Sequence, residues 1–220
     1  RTALRAYEQS EDWPALLRAL RQIEKRDALH PAAVRGMKIR AYRALFAARH
    51  DDPGAVQQLF ASLGPAERQI DEVLEAAAQA FEAAGRSDQA QRLLEPALDE
   101  RFSDSLITLY AGLRGAPARD RLRRAEAWRT QYGDEPALLR ALGRLCAAEA
   151  LWGKAEEFLI LAERAAPGAE AYLLLEQLYE RLGRLDDAQR YYRLAALDGV
   201  DALTALPEAP LAAAIVVRAE

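Results

Sequence analysis

The sequence contains little of what most catalytic and metal sites require. Its 220 residues include one cysteine and two histidines, which excludes an internal disulfide and a zinc site built from several cysteines. His30 and His50 form no HExxH motif, and no GxGxxG, GxxxxGK or GxSxG motif is present. We therefore expect a protein that is not an enzyme, and we interpret both histidines as surface or helix-cap residues.

The sequence also lacks a positive net charge and a long apolar run. Its 30 basic and 34 acidic residues give a net charge of −4, so no overall positive field is available to hold nucleic acid. The longest apolar run, LAAAIVV at 211–217, is far shorter than the roughly 20 residues of a membrane helix. Because the sequence starts at Arg1 within an apparently helical stretch, we expect that part of the natural protein precedes it.

What the sequence does contain is a helical pattern along most of its length. Apolar residues recur at spacings of three and four, and AIVV near the end is the only run that favours a strand. Prolines fall at short intervals where helices begin or end, although Pro96 should lie within a helix and kink it. The predicted helices are 1–10, 13–26, 31–49, 53–63, 66–84, 87–100, 104–114, 117–131, 135–149, 152–165, 169–182 and 185–197.

Small residues recur at nearly the spacing of tetratricopeptide repeats. Ala90, Ala125, Ala155 and Ala188 are separated by 35, 30 and 33 residues, close to the period of about 34 that defines this repeat. The chain is therefore predicted to be all-α, an α-α superhelix of about five to six helix pairs. The predicted units are the solenoid 1–200, its best repeats 71–102, 136–167 and 169–200, and a tail 201–220 with a capping helix near 210–218.

The repeat pattern also predicts which residues pack in the core. A small residue is expected where the two helices of a pair cross, and a large residue three positions earlier should fill the adjacent notch. We therefore interpret Trp13, Trp152 and Leu185 as core residues rather than ligand-stacking residues. Cys146 occupies the position that Tyr179 holds in the last repeat, so it is expected to be buried and inert.

In this repeat the first helix of each pair lines a concave groove. Arginine binds carboxylates in bidentate fashion, so an arginine cluster there suits an acidic peptide, a chain terminus or a propionate. The alternative is an ordinary solvated helix face. Upstream, the same register selects Glu72, Glu75, Gln79 and Glu82, so the groove should change sign along its length. The predicted partner-binding residues are Tyr110, Arg114, Arg140, Arg144, Leu173, Gln177 and Arg181.

The C-terminal half resembles the proteobacterial HemY family. The resemblance rests on PALLRALGRLCAAEALWGKAEEFLILAERAAPGAEAYLLLEQLYERLGRLDDAQRYYRLA at 136–195, with support from LRRAEAWRTQYGDEPAL at 122–138 and DWPALLRAL at 12–20. It implies a scaffold tethered to the bacterial inner membrane by two preceding transmembrane helices, with this part on the cytoplasmic face. It also implies haem-pathway enzymes as partners, and no catalytic residues.

Three functions follow from these observations. The first is a non-catalytic scaffold in haem or porphyrin biosynthesis that binds proteins along its groove. The second is a general peptide-binding adaptor in membrane or envelope assembly, because the repeat alone does not select a partner. The third is a direct haem or porphyrin carrier; apart from that case we expect no cofactor, no metal and no nucleic acid.

Overall fold

The structure, a computed structural model, describes residues 2–24, 26, 29–115 and 117–198. Over these ranges the chain is all-α, with twelve α-helices, one short 3-10 helix at Glu67–Gln69 and no strand. The α-helices are α1 (Thr2–Gln9), α2 (Trp13–Glu24), α3 (Pro31–Ala47), α4 (Pro53–Ala61), α5 (Asp71–Ala83), α6 (Ser87–Glu100), α7 (Asp104–Gly112), α8 (Ala118–Tyr132), α9 (Pro136–Ala148), α10 (Trp152–Ala165), α11 (Ala169–Arg181) and α12 (Leu185–Leu197).

Local chemistry sets several of the helix ends. Pro31, Pro53 and Pro136 each occupy the first turn of a helix, where a missing N–H costs nothing. Asp52 accepts the N–H groups of residues 54 and 55 at 2.9 and 3.0 Å and so caps α4. His30 caps α3 in the same way, because its Nδ1 accepts the N–H of residue 32 at 3.3 Å. The interpretation of His30 as a cap residue is confirmed.

The turn between the two helices of a pair contains the same unusual backbone conformation in four pairs. Its middle residue has φ of 54° at Glu11, 70° at Gly85, 54° at Ala150 and 69° at Gly183. Only glycine adopts this left-handed conformation without steric cost. Gly85 and Gly183 match the glycine of the repeat consensus. Glu11 and Ala150 adopt the same backbone conformation although each carries a side chain.

The helices form one solenoid of six pairs in the described ranges. The first helices of successive pairs, from α3 to α11, pack against one another in order, and the second helices α6, α10 and α12 pack mainly on the first helix of their own pair. The other second helices, α2, α4 and α8, pack mainly on the first helix of the next pair. One continuous hydrophobic core runs from Leu4 to Ala188. The predicted α-α superhelix is confirmed.

Small residues lie at the helix crossings, as the repeat spacing predicts. Ala90, Ala125 and Ala155 have no solvent exposure and Ala188 has 5%. A close approach lies between α9 and α10, where a Cβ added to Gly143 would lie 2.5 Å from Leu159 Cγ. The same added Cβ would lie 3.4 Å from the carbonyl oxygen of Ala155, so these two helices pack with their backbones close together.

The predicted large residues do not all fill the core. Trp152 is 37% exposed and Leu185 is 68% exposed, so the prediction that they are core residues is wrong, whereas Trp13 is half-buried against the core. Trp152 and Leu185 are the first residues of α10 and α12. A helical side chain covers the turn that precedes its own Cα, so the first residue of a helix has little of its own helix to pack on; Trp13, the first residue of α2, is nonetheless half-buried against the core. Cys146 is fully buried as predicted, and burial raises the pKa of its thiol to about 11.

A buried charged cluster joins α2, α3 and the 3-10 helix. Lys38 Nζ lies 2.7 Å from a carboxylate oxygen of Glu24 and 3.2 Å from one of Glu67, and Lys38 and Glu67 are both buried. Burial acts to raise the pKa of Glu67, but hydrogen bonds from the Gly64 N–H and from Lys38 bring it below its usual value. This inward turn of Glu67 explains why the predicted helix 66–84 is divided into a 3-10 turn and α5.

Three further predictions concern individual segments. Pro96 lies inside α6; the kink stays a prediction. The tail 201–220, its capping helix and the end of the solenoid at 200 fall outside the described residues. No helix that the structure describes combines the length and the apolar character needed to cross a bilayer.

Candidate partner-binding site

Ion pairs link consecutive first helices along the inner wall of the solenoid. They join α1 to α3, α3 to α5, and α9 to α11, so the charges involved are neutralised within the wall. The register places Glu72 and Glu75 in the groove, and both belong to this set of pairs. The acidic part of the groove that the sequence predicts is therefore paired with arginines and does not present free carboxylates there. The pairs are Arg40–Glu8 (2.6 Å), Arg35–Glu72 (3.0 Å), Arg43–Glu75 (3.7 Å) and Arg140–Glu170 (3.1 Å).

A cavity of about 350 Å³ lies between α7, α9 and α11. Its floor is apolar and includes Leu159, Leu174 and Leu178, together with alanines and glycines of the first helices. Its polar side chains, Arg114, Arg144, Gln177 and Arg181, are all among the predicted groove residues. We call it the arginine cavity.

The three arginines of the cavity are not neutralised as the rest of the wall is. Arg114 and Arg181 are exposed and Arg144 is half-buried, and no carboxylate in the described ranges lies within 4.0 Å of any of them. Arg144 occupies space that a side chain at residue 112 would restrict, since a Cβ added to Gly112 would lie 3.3 Å from Arg144 Nη2. The cavity therefore presents three guanidinium groups without ion-pair partners in the described ranges, next to an apolar floor.

Two predicted groove residues lie apart from this cavity. Arg140 is ion-paired with Glu170 and is half-buried. Leu173 is 42% exposed but does not line the cavity. The repeat register places both residues on helices that form the cavity, α9 and α11, but neither side chain lines it.

The prediction that Tyr110 faces the groove is wrong. Tyr110 has no solvent exposure, its hydroxyl donates to Glu95 at 2.9 Å, and its ring meets Trp128 edge-on with 5.0 Å between ring centroids. Burial raises the pKa of Tyr110, and the carboxylate of Glu95 raises it further. In this shortened repeat α7 has only nine residues, so the register taken from the full-length repeats does not transfer to it.

A buried guanidinium holds the end of α7 beside the cavity. Arg121 is 3% exposed, and its Nη1 donates to the carbonyl oxygens of Tyr110 and Ala111 at 2.8 and 3.2 Å. Burial lowers the pKa of Arg121, and the charge of Arg144 lowers it as well. The positive charge of Arg144 at the cavity thus acts on the neighbouring buried guanidinium of Arg121.

Sequence reasoning missed the apolar floor. Leu174 and Leu178 are four residues apart on α11, and Gln177 and Arg181 repeat that spacing on the adjacent stripe. Residues four apart lie on the same helix face, so the two stripes together signal a mixed apolar and polar inner surface. Gly112, which leaves room for Arg144, gives no comparable signal in the sequence.

A second cavity, of about 690 Å³, lies upstream between α3 and α5. Its charged residues include Arg43 and Glu75, which pair with each other, and His50, whose Nδ1 lies 2.7 Å from the Ala47 carbonyl oxygen. This contact places His50 at the end of α3, as predicted. Within the described part of the chain, no group of three or more His, Cys, Asp or Glu residues could hold a metal ion.

The fold and the cavity define an all-α protein of the helical-repeat class, with tetratricopeptide-like helix pairs and a concave inner wall. No protein-family model matches the sequence, and no curated protein matches it. A solved structure described as MamA AMB-1 is similar to 70% of this chain and to 95% of its own chain, at 16% sequence identity and a TM-score of 0.41. The assignment of the fold class rests on the helices and their order of packing.

Proposed function

We propose that the protein is a non-catalytic scaffold that binds an acidic segment of a partner protein along its concave wall. The observation that carries the proposal is the arginine cavity, where three guanidinium groups from three successive repeats meet no carboxylate of the described chain. Elsewhere on the inner wall, four ion pairs join neighbouring first helices. An acidic segment is therefore attracted to this part of the groove.

The chemistry of the cavity favours a peptide segment that carries both carboxylates and an apolar side chain. Guanidinium groups bind carboxylates through paired, charge-assisted hydrogen bonds, and Arg144 does so from a half-buried position where such bonds are stronger than in water. Leu174 and Leu178 offer an apolar surface beside these groups. The cavity volume lies near the lower end of the ~300–1,000 Å³ range of small-ligand pockets, which suits a short segment of chain.

The narrower form of the proposal places this scaffold in haem or porphyrin biosynthesis. The similarity of residues 122–195 to the HemY family supports it, and the partners would then be enzymes of that pathway. The same similarity supports a location on the cytoplasmic face of the bacterial inner membrane. A general adaptor in envelope assembly would use the same groove, and a direct porphyrin carrier would use the same arginines to hold propionates.

The binding proposal is tested with a labelled peptide. The probe is the hexapeptide Glu-Leu-Glu-Glu-Leu-Glu carrying fluorescein, and its control has glutamine in place of each glutamate. Fluorescence anisotropy should show binding of the acidic probe only, weakening as salt is raised because exposed charges are screened. Failure of the acidic probe to bind at low salt would overturn the proposal.

Variants assign this binding to the cavity. Arg144→Ala should weaken binding roughly 10- to 100-fold, the equivalent of a lost hydrogen bond to a charged group. The matched control is Arg164→Ala, which removes the same charge from an exposed position on the second helix α10 and should leave the affinity nearly unchanged. Equal losses in the two variants would show that only net charge matters, and would refute a specific site.

Two further measurements separate the narrower functions. Co-purification from bacterial membranes should recover haem-pathway enzymes if the narrower proposal holds, whereas recovery of envelope-assembly factors alone would contradict it. Titration with haem tests the carrier function, because binding should shift the Soret band and Arg144→Glu together with Arg181→Glu should weaken that shift. An unchanged spectrum with the parent protein would exclude the carrier function.

A further inference from the structure

The loop after α7 is held by side chains from the preceding helix pair. Glu82, on α5, accepts the backbone N–H of Arg114 at 2.7 Å. Ser87, at the start of α6, accepts the backbone N–H of Gly115 at 3.1 Å, and its hydroxyl donates to the second oxygen of Glu82. Two adjacent amides of the loop are therefore bound by one coupled acid–serine pair.

This arrangement determines where Arg114 lies. Helix α7 ends at Gly112, so Arg114 reaches the cavity from a loop and not from a helix. Two hydrogen bonds hold the loop through the backbone amides of Arg114 and Gly115, and a third couples their two acceptors, Ser87 and Glu82. The position of the Arg114 guanidinium thus depends on residues about 30 positions earlier in the chain.

The packing around Ser87 is close on the loop side. A Cβ added to Gly115 would lie 2.7 Å from Ser87 Oγ and 3.2 Å from Ser87 Cβ. Ser87 is 4% exposed, and neither Ser87 nor Glu82 lines the arginine cavity. A ligand in the cavity therefore contacts Arg114 but not the pair that holds it.

Electrostatics add a second role for the acid. Glu82 is the carboxylate that acts on buried Arg121, where its charge opposes that of Arg144. Its negative charge thus acts on Arg121, while its two oxygens are occupied by Ser87 and the loop amide. It is held away from the guanidinium groups that face a ligand.

Building on the proposed function, we propose that Glu82 and Ser87 are positioning residues for ligand recognition. They hold the loop so that Arg114 joins Arg144 and Arg181 around one carboxylate-bearing segment. Gly115 is required at the contact because any side chain there would displace Ser87. The shortened spacing of this repeat thus serves to bring a loop arginine into a groove otherwise built from helices.

The test is a double-mutant cycle with the acidic hexapeptide probe. Ser87→Ala should weaken binding about 3- to 10-fold, the range of the one neutral hydrogen bond that the loop loses, from the Gly115 N–H to Ser87 Oγ. In an Arg114→Ala background the same change should have almost no further effect, whereas in an Arg181→Ala background it should keep its full effect. A purely structural role of Ser87 would give equal losses in both backgrounds and would overturn the inference.

A second variant perturbs the same loop from the side of Gly115. Gly115→Ala should also weaken binding and should also lose its effect in the Arg114→Ala background. The matched control is Ser62→Ala, which removes a serine hydroxyl that binds the Leu59 carbonyl at 2.6 Å at the end of α4, away from the cavity. Hydrogen exchange of the Arg114 and Gly115 amides should accelerate in Ser87→Ala and stay unchanged in Ser62→Ala.

The inference and the proposed function fail in different ways. If the parent protein does not bind the probe, the proposed function is wrong. If it binds, and Arg144→Ala weakens binding as expected while Ser87→Ala and Gly115→Ala leave the affinity unchanged, the proposed function stands. In that case the positioning role is wrong.

Discussion

Replacing Gly143 by alanine tests the packing on which the solenoid depends. The new Cβ would lie 2.5 Å from both Cγ and Cδ2 of Leu159 and 3.4 Å from the carbonyl oxygen of Ala155. Leu159 is only 2% exposed, so it cannot turn into solvent to make room. The substitution therefore forces α9 and α10 apart or moves a packed leucine out of its rotamer.

The expected magnitude follows from two opposing effects. Overpacking a core typically costs about 1–3 kcal/mol, while replacing a mid-helix glycine by alanine contributes about 1 kcal/mol of helix stability. Gly36→Ala isolates the second effect, because its added Cβ meets only Arg40 at 3.9 Å. The free energy of unfolding of Gly143→Ala should thus fall about 1–3 kcal/mol below that of Gly36→Ala.

Urea unfolding followed by circular dichroism measures this difference. A rescue experiment assigns it to one contact: Leu159→Ala alone should cost about 2–5 kcal/mol, and in that background Gly143→Ala should cost nothing because the added methyl enters vacated space. If Gly143→Ala is as stable as Gly36→Ala, the close crossing of α9 and α10 is wrong. Since Gly143 and Leu159 both line the arginine cavity, Gly143→Ala should also weaken binding of the acidic probe.

Further outcomes follow from the turns and the buried charges. Gly183→Ala should lower the free energy of unfolding by about 1 kcal/mol, whereas Ala150→Gly in the equivalent turn should not lower it; denaturant titration compares the two. Lys38→Met should cost about 3–5 kcal/mol because Glu67 is left buried without its cation. The pKa values of Glu67 and Asp71 are below their usual values in the folded state, so their contribution is complete above the unfolded pKa of about 4. Thermal melts at stepped pH should therefore show stability falling as pH drops through those lowered values, and a flat profile would contradict this.

Local signals were sufficient to predict most of the fold from the sequence. Prolines mark the starts of α3, α4 and α9, and the apolar spacing gives the lengths, so the predicted 135–149 corresponds to Pro136–Ala148. The 3-10 turn before α5 was missed because its cause is distant in sequence. Glu67 turns inward to reach Lys38, and no local pattern in the sequence records that pairing.

The candidate site was predictable where the repeats have full length. Arg144, Gln177 and Arg181 follow from the register of α9 and α11, and the structure brings them together. Arg140 belongs to the same register, but its guanidinium forms an ion pair with Glu170. That pairing depends on tertiary geometry, which the sequence pattern does not record. Tyr110 was placed wrongly because the shortened repeat changes which face of α7 meets the core.

The ion pairs between successive first helices have a mechanical consequence. Arg35–Glu72 and Arg43–Glu75 bridge neighbouring helices on the inner side of the array, so they act to shorten that side relative to the outer one. Dissolved ions weaken exposed pairs of this kind, which releases the inner side and reduces the curvature of the superhelix. Small-angle scattering should accordingly record a larger radius of gyration at high ionic strength, and the groove that receives a partner should be wider in that state.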